Sequence, residues 1–228
     1  MALSNDSGVT WSPHPGAPDG VAGGNVAVSA DGTSILWRTG TGPIWVSGTT
    51  AAFTNVSNLP ASSIIAADKK NARVFYGASG SLFYISRDAG RTFSGGGALG
   101  SSSSPYKIAV HPTVAGYVWV STDAGLFHST NFGATFKAIS NVSRAWDIAL
   151  GASPGPGRYP TIFVVAKVSG TGAFYRSDDI GVNSSLRGTM MFSRTSSQNS
   201  WVKINDAQHG FASYNSAVLA ADPRQYGR

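Results

Sequence analysis

Short stretches of alternating apolar and polar residues recur along the whole chain, each closed by a turn rich in Gly, Asn, Asp or Ser. Such stretches read as half-buried β-strands rather than helices, because no apolar spacing of three and four residues is sustained. Four paired stretches stand out: Val26 to Val28 with Ile35 to Trp37, Ile64 to Ala66 with Val74 to Tyr76, Ile108 to Val110 with Val118 to Val120, and Ile148 to Leu150 with Ile162 to Ala166. After each pair comes a hairpin of similar inner order. The clearest are Ser81 to Phe93, Gly125 to Phe136 and Gly172 to Gly181, preceded by a degenerate version from Pro43 through Ser47 to Phe53. The strand-ending serines fall at positions 47, 86, 129 and 177, at intervals of 39, 43 and 48 residues.

Each of the three clear hairpins places Ser at the end of a strand, Asp or Asn two residues on, Gly four residues on, and an aromatic at the start of the next strand. The three sets are Ser86, Asp88, Gly90 and Phe93; Ser129, Asn131, Gly133 and Phe136; and Ser177, Asp179 and Gly181, with the aromatic delayed to Trp201. The Asp or Asn oxygen can accept backbone N–H groups across the turn, Gly tolerates positive φ, and the aromatic anchors the hairpin in an apolar layer. Four short strands about every 40 residues is the arithmetic of propeller blades. A β-sandwich would also alternate, but it would not repeat one turn chemistry three times. The expected fold is therefore an all-β propeller spanning 9–228, with about four to five blade units. The last unit, Ala217 to Arg228, matches only the first strand and turn of a blade, so the chain reads as a fragment. The stretch 182–200, which separates the third box from Trp201, reads either as a long surface loop or as sequence foreign to the mature fold.

Composition narrows the chemistry. The 228 residues include 28 Gly but neither Cys nor Glu, and all eleven acidic residues are Asp. Disulfides, thiolate nucleophiles and Glu pairs are thereby excluded. The net charge of +6 comes from scattered cations rather than the stripe expected of a nucleic-acid binder. No apolar run is long enough for a membrane span, and Met1 to Asp6 has neither the basic segment nor the apolar core of a signal peptide. Four Asn-x-Ser sequons, at Asn5, Asn55, Asn141 and Asn183, are usable only in a secretory context. The four His residues lie far apart, so neither a metal nor another cofactor is expected.

The Ser-x-Asp-x-Gly turns resemble Asp-boxes, which occur in several secreted propeller families. Longer motifs are more specific: Tyr159-Pro160 before Ala166-Lys167, Gly172 to Gly181, Trp201 to His209, and Asp222-Pro223-Arg224-Gln225-Tyr226-Gly227-Arg228. With Trp11 to Pro18, Gly23 to Val28 and Phe75-Tyr76-Gly77, they resemble glycoside hydrolase family 74, in the C-terminal region of its xyloglucan-hydrolysing members. The resemblance implies two seven-bladed propellers facing each other across a cleft, with this chain an incomplete part of the second. It also implies an extracellular parent protein cleaving β-1,4-glucan backbones by inversion, in endo or reducing-end-specific mode, with one catalytic Asp from each propeller.

Both catalytic motifs would lie outside this chain, so no catalytic residue is assigned here and the fragment is expected to be inactive alone. The partners implied are xyloglucan or a related plant cell-wall β-glucan, and the N-terminal propeller of the parent protein. The alternative is a non-catalytic propeller for carbohydrate binding or protein interaction. Candidate sugar contacts are Trp146, read as preceding a strand, with Arg144 and Asp147 beside it, and the Asp206/His209 pair. Asp88 and Asp179 read as turn residues, Asp68 and Asp222 as equivalent inter-strand turns, and Asp178 as solvent-facing.

Overall fold

A computed structural model describes residues 1–40, 44–48, 52–56, 58–101, 103–179, 201–206, 208 and 217–226. The described residues contain strands and turns but no helix. Strands β3 (Asn25–Val28), β4 (Ser34–Arg38), β5 (Ile44–Gly48) and β6 (Thr54–Val56) form one antiparallel sheet in chain order, blade I. Blade II is β7 (Ile64–Ala67), β8 (Phe75–Ser79), β9 (Leu82–Ser86) and β10 (Ser94–Ala98). Blade III is β11 (Pro105–Val110), β12 (Val118–Thr122), β13 (Gly125–Ser129) and β14 (Lys137–Ala138). Blade IV is β15 (Val142–Leu150), β16 (Ile162–Val168), β17 (Thr171–Ser177) and β18 (Val202–Lys203). Ahead of them, β1 (Ala2–Leu3) pairs with β2 (Ser12–Pro13). This two-stranded sheet stands apart from the four four-stranded ones.

The first strands β3, β7, β11 and β15 touch in series, so successive blades fan out from a common inner edge. Stacked sheets bury both faces of every middle strand, which is why β8, β12 and β16 are nearly continuous apolar runs. Alternate side chains then enter successive cores. Phe75 packs between blades I and II, whereas its neighbour Tyr76 packs between II and III. Likewise Val118 and Val120 face blade II while Trp119 faces blade IV. A smaller cluster of Ile35, Trp37 and Phe53 seals the β1–β2 hairpin onto blade I, with Leu3 packed against it.

Antiparallel order puts the first and third turns of each blade at one end. At that end the box turns form as their spacing requires. Ser86 Oγ donates to Asp88 (2.7 Å) and accepts from Gly90 N (2.9 Å), while the Asp88 carboxylate accepts Thr92 N (2.9 Å) and Thr92 Oγ1 (2.6 Å). The Ser129, Asn131, Gly133 and Thr135 turn repeats this pattern, and Ser177 donates to Asp179 at 2.9 Å. Gly181 and the stretch 182–200 lie outside the described residues. Trp201 packs edge-on to Tyr175, with ring centroids 6.4 Å apart. In the degenerate unit, Ser47 Oγ donates to its own neighbour's carbonyl at Gly48, and the sequence has Thr49 where a box has Asp or Asn.

A further box occurs at Ser4, Asp6, Gly8 and Thr10, with bonds of 2.8 Å from Ser4 to Asp6 and from Gly8 N to Ser4. Hydrogen bonds from Thr10 and Ser4 hold the exposed Asp6 carboxyl down at about 2. The glycine of a box also meets the preceding blade. A Cβ on Gly133, at φ +77°, would lie 2.2 Å from the Phe83 ring, and Gly97 N in blade II donates to Gly133 O at 2.7 Å. Close approach between blades therefore demands Gly as much as backbone freedom does.

The first turn of blade II adds a second tie. Asp68, fully buried, accepts Lys70 N (2.8 Å), Asn71 N (2.9 Å) and Tyr76 Oη (2.7 Å) within blade II, and Gly116 N (2.8 Å) from blade III. Burial and the Asp68 contact push the Tyr76 phenol well above its ordinary range. His111 fills the same position in blade III, its Nδ1 accepting Thr113 N and Val114 N. Asp222 does the same beyond blade IV, accepting Arg224 N at 2.7 Å.

Candidate functional site

The opposite end of the blades is less regular. Two β-bulges interrupt inner strand β15, one between Val142 and Arg144 and one between Ala145 and Asp147. A third interrupts β11 between Pro105 and Lys107. Bulges re-aim the extra residue, and here those residues include Tyr106 on β11 and Trp146 on β15. Trp146 therefore lies inside a strand, correcting the expectation that it precedes one. The Arg144 guanidinium sits between the two rings, 5.8 Å from the Tyr106 centroid and 5.4 Å from that of Trp146. Its Nη2 donates to Tyr106 Oη at 2.6 Å. Arg144 pairs in register with Lys167, one residue from the end of β16. This places the group near the rim away from the box turns.

Asp147 has a different place from its neighbour. It is buried and ion-paired to Lys107 Nζ at 2.9 Å, and its other oxygen accepts Leu219 N at 2.5 Å. Lys107 Nζ also donates to Leu219 O at 2.9 Å. One ion pair thus joins the inner strands of blades III and IV to the segment that follows them. Its chemistry in this structure is cross-blade clamping.

Asp206 is exposed after β18, the outermost strand of blade IV, with two strands between β18 and the inner β15. His209 lies outside the described residues. Asp178, expected to face solvent, is half-buried, accepting Thr161 Oγ1 at 2.8 Å and pairing with Arg176 at 2.7 Å, with Tyr226 also bonded to both. Burial raises the Asp178 carboxyl, but the bonds from Arg176, Thr161 and Tyr226 outweigh it and leave it below its ordinary value. No group of three His, Cys, Asp or Glu among the described residues could hold a metal ion.

Between blades III and IV lies a buried polar–aromatic cluster that sequence reasoning did not assemble. Trp119 stacks on His128 at 4.1 Å and donates its indole N–H to Tyr159 Oη at 2.8 Å. His111 meets the Tyr159 ring edge-on at 4.9 Å. Burial pushes both imidazoles down to about 4, His128 further opposed by the charges of His111 and Lys137.

Tyr106 was also missed. The signal was present as a register repeat: Tyr106-Lys107-Ile108-Ala109-Val110 and Trp146-Asp147-Ile148-Ala149-Leu150 share aromatic, charge, Ile, Ala and aliphatic in order, 40 residues apart.

No family model matches the chain. Over the whole chain it is 38% identical to a xyloglucanase of Hypocrea jecorina and 34% identical to xyloglucanase Xgh74A of Acetivibrio thermocellus, covering 25% of each. The chain thus spans about a quarter of the length of these relatives. Among solved structures, the Niastella koreensis GH74 enzyme matches 100% of the chain and 32% of its own length, with a TM-score of 0.81 and 26% identity. The GH74 xyloglucanase of Xanthomonas campestris matches 100% and 31%, with a TM-score of 0.79 and 26% identity. Along its whole length the chain is similar in sequence to xyloglucanases and in fold to glycoside hydrolase family 74 enzymes.

Proposed function

We propose that this chain is a section of the second propeller of an extracellular xyloglucan hydrolase and forms part of the wall along which the glucan lies. Whole-length similarity to named xyloglucanases carries the reading. An inverting glycosidase needs a general acid and a general base about 6.5–9.5 Å apart. Asp6, Asp68, Asp88 and Asp179 are committed to turns, and Asp147 and Asp178 to ion pairs. The resemblance to family 74 implies a catalytic pair in the remainder of the parent enzyme, one Asp to each propeller. Trp146 and Arg144 are the glycan contacts of this section, with Asp206 and His209 further candidates from sequence alone.

The same commitment of carboxylates favours a second reading for the chain by itself, glycan binding without hydrolysis. The test is reducing-sugar release from xyloglucan, comparing this chain with one extended at both ends to the length of its relatives. The extended protein hydrolyses the polymer and the 228-residue chain does not. Activity in the short chain would place the catalytic pair within it, and an extended chain inert on every β-glucan would end the enzyme reading.

A further inference from the structure

The Trp146 contact is half of a larger feature. Two adjacent blades each place an aromatic at the same register position of the inner strand, and each aromatic is displaced by a bulge of its own. Tyr106 remains 38% exposed although its hydroxyl is already bonded to Arg144. An aromatic left exposed at a broken strand, oriented by a charge-assisted hydrogen bond, is poorly explained by packing, which would bury it as Trp119 is buried.

We infer that Tyr106, Arg144 and Trp146 form one continuous pyranose-binding platform crossing the seam between blades III and IV, with Tyr106 as a second stacking residue for a neutral β-glucan chain. This rests on the reading of the chain as part of a xyloglucan hydrolase, and extends it to a residue on a different blade. Pyranose rings present a C–H face that packs on an aromatic, and their hydroxyls accept from guanidinium N–H donors. Of the five such donors of Arg144, one goes to Tyr106 and the Nε–H is buried, so the terminal nitrogens supply any bond to a sugar. It thus orients one ring, fills the gap between the two, and retains polar capacity for the sugar. Lys107 and Asp147 directly follow Tyr106 and Trp146, and their 2.9 Å ion pair fixes the two bulges relative to each other. They are positioning residues: they hold the platform's width without lying on it.

The test measures binding of the 228-residue chain to soluble xyloglucan by affinity electrophoresis, and to a xyloglucan oligosaccharide by calorimetry. Variants are Tyr106→Ala, Trp146→Ala, the double variant, and Tyr106→Phe as the conservative control. Each alanine variant should weaken binding about tenfold, and Tyr106→Phe should keep most of it because the stacking face survives. Unchanged cooperative unfolding shows that each variant still folds. Should Trp146→Ala weaken binding while Tyr106→Ala does not, the two-blade platform is wrong and the proposed function stands. If neither substitution matters although the chain binds, the whole rim assignment falls. A wild-type chain that binds no glucan overturns the platform directly, while hydrolysis by the extended enzyme still decides the proposed function separately.

Discussion

The two ends of the blades solve different problems with the same strands. At the box end, Ser86, Asp88 and Thr92 of blade II make the same bonds as Ser129, Asn131 and Thr135 of blade III, and glycines let each turn settle against the blade before it. At the rim, β11 and β15 depart from regular pairing, and their neighbours are chosen by ion pairs and rings rather than by turn geometry. Repetition marks where the scaffold is held together. Departure from repetition marks where a surface has been shaped for something else.

Substituting one glycine at each end gives the largest expected contrast. Gly133→Ala meets both a left-handed backbone and the Phe83 ring, and should cost about 3–4 kcal/mol in urea unfolding. Gly80→Ala, in the turn between β8 and β9 at the other end, keeps φ +55° with open space around it and should cost about 1 kcal/mol. Equal losses would erase the claim that box glycines serve contact between blades.

Acid should strike the scaffold next. His111 and His128 fall from an ordinary 6.5 to about 4 in the folded protein, so the unfolded chain binds more protons between those values. Their contribution is whole above pH 6.5 and is lost progressively as the pH falls to 4, by roughly 3 kcal/mol each at most. His111 gives this a structural form, since protonating Nδ1 removes the acceptor for Thr113 N and Val114 N. Denaturant unfolding at pH 7 and pH 5 measures the loss, and His128→Phe, which retains a ring against Trp119, should remove about half of it. A pH-independent midpoint would show that the folded cluster takes up protons as readily as the unfolded chain does.

A smaller contrast lies between boxes. Asp88→Ala should cost about 1–2 kcal/mol by orphaning Thr92 N and the Ser86 hydroxyl, while Asp88→Asn should be nearly neutral because Asn131 does the same work one blade on. Smallest of all, Tyr106→Phe at the rim should change stability by less than about 0.5 kcal/mol, as a surface substitution outside the core. A larger loss would make that hydroxyl part of the scaffold.

Legibility in the sequence follows the same division. The box turns, the blade period and the apolar middle strands follow from local chemistry, and sequence displays them directly. The Ser4 turn has the same spacing and even the same Thr before its aromatic, Thr10 before Trp11, yet its leading strand is only Ala2–Leu3 and shows no alternation. Trp146 was misplaced because two bulges change the parity of β15, so Ser143, Arg144 and Asp147 break the pattern that defines a strand. The Lys107–Asp147–Leu219 clamp and the Trp119–His128–Tyr159 cluster join residues of different blades, which periodicity within a blade cannot pair.

Asp68 bears on how such molecules change over evolutionary time. Its carboxylate completes a turn in its own blade and reaches the backbone of the next at Gly116. A duplicated or deleted unit therefore inherits a working joint provided that the break falls in the connection between an outer strand and the following inner strand, with acceptor and turn carried together. A break within a sheet would instead part strands that hydrogen-bond to each other, as β8 and β9 do. Lineages that gain or lose blades should accordingly show their seams between sheets, and a chimaera spliced at residues 58–63 should outlast one spliced at residues 80–81.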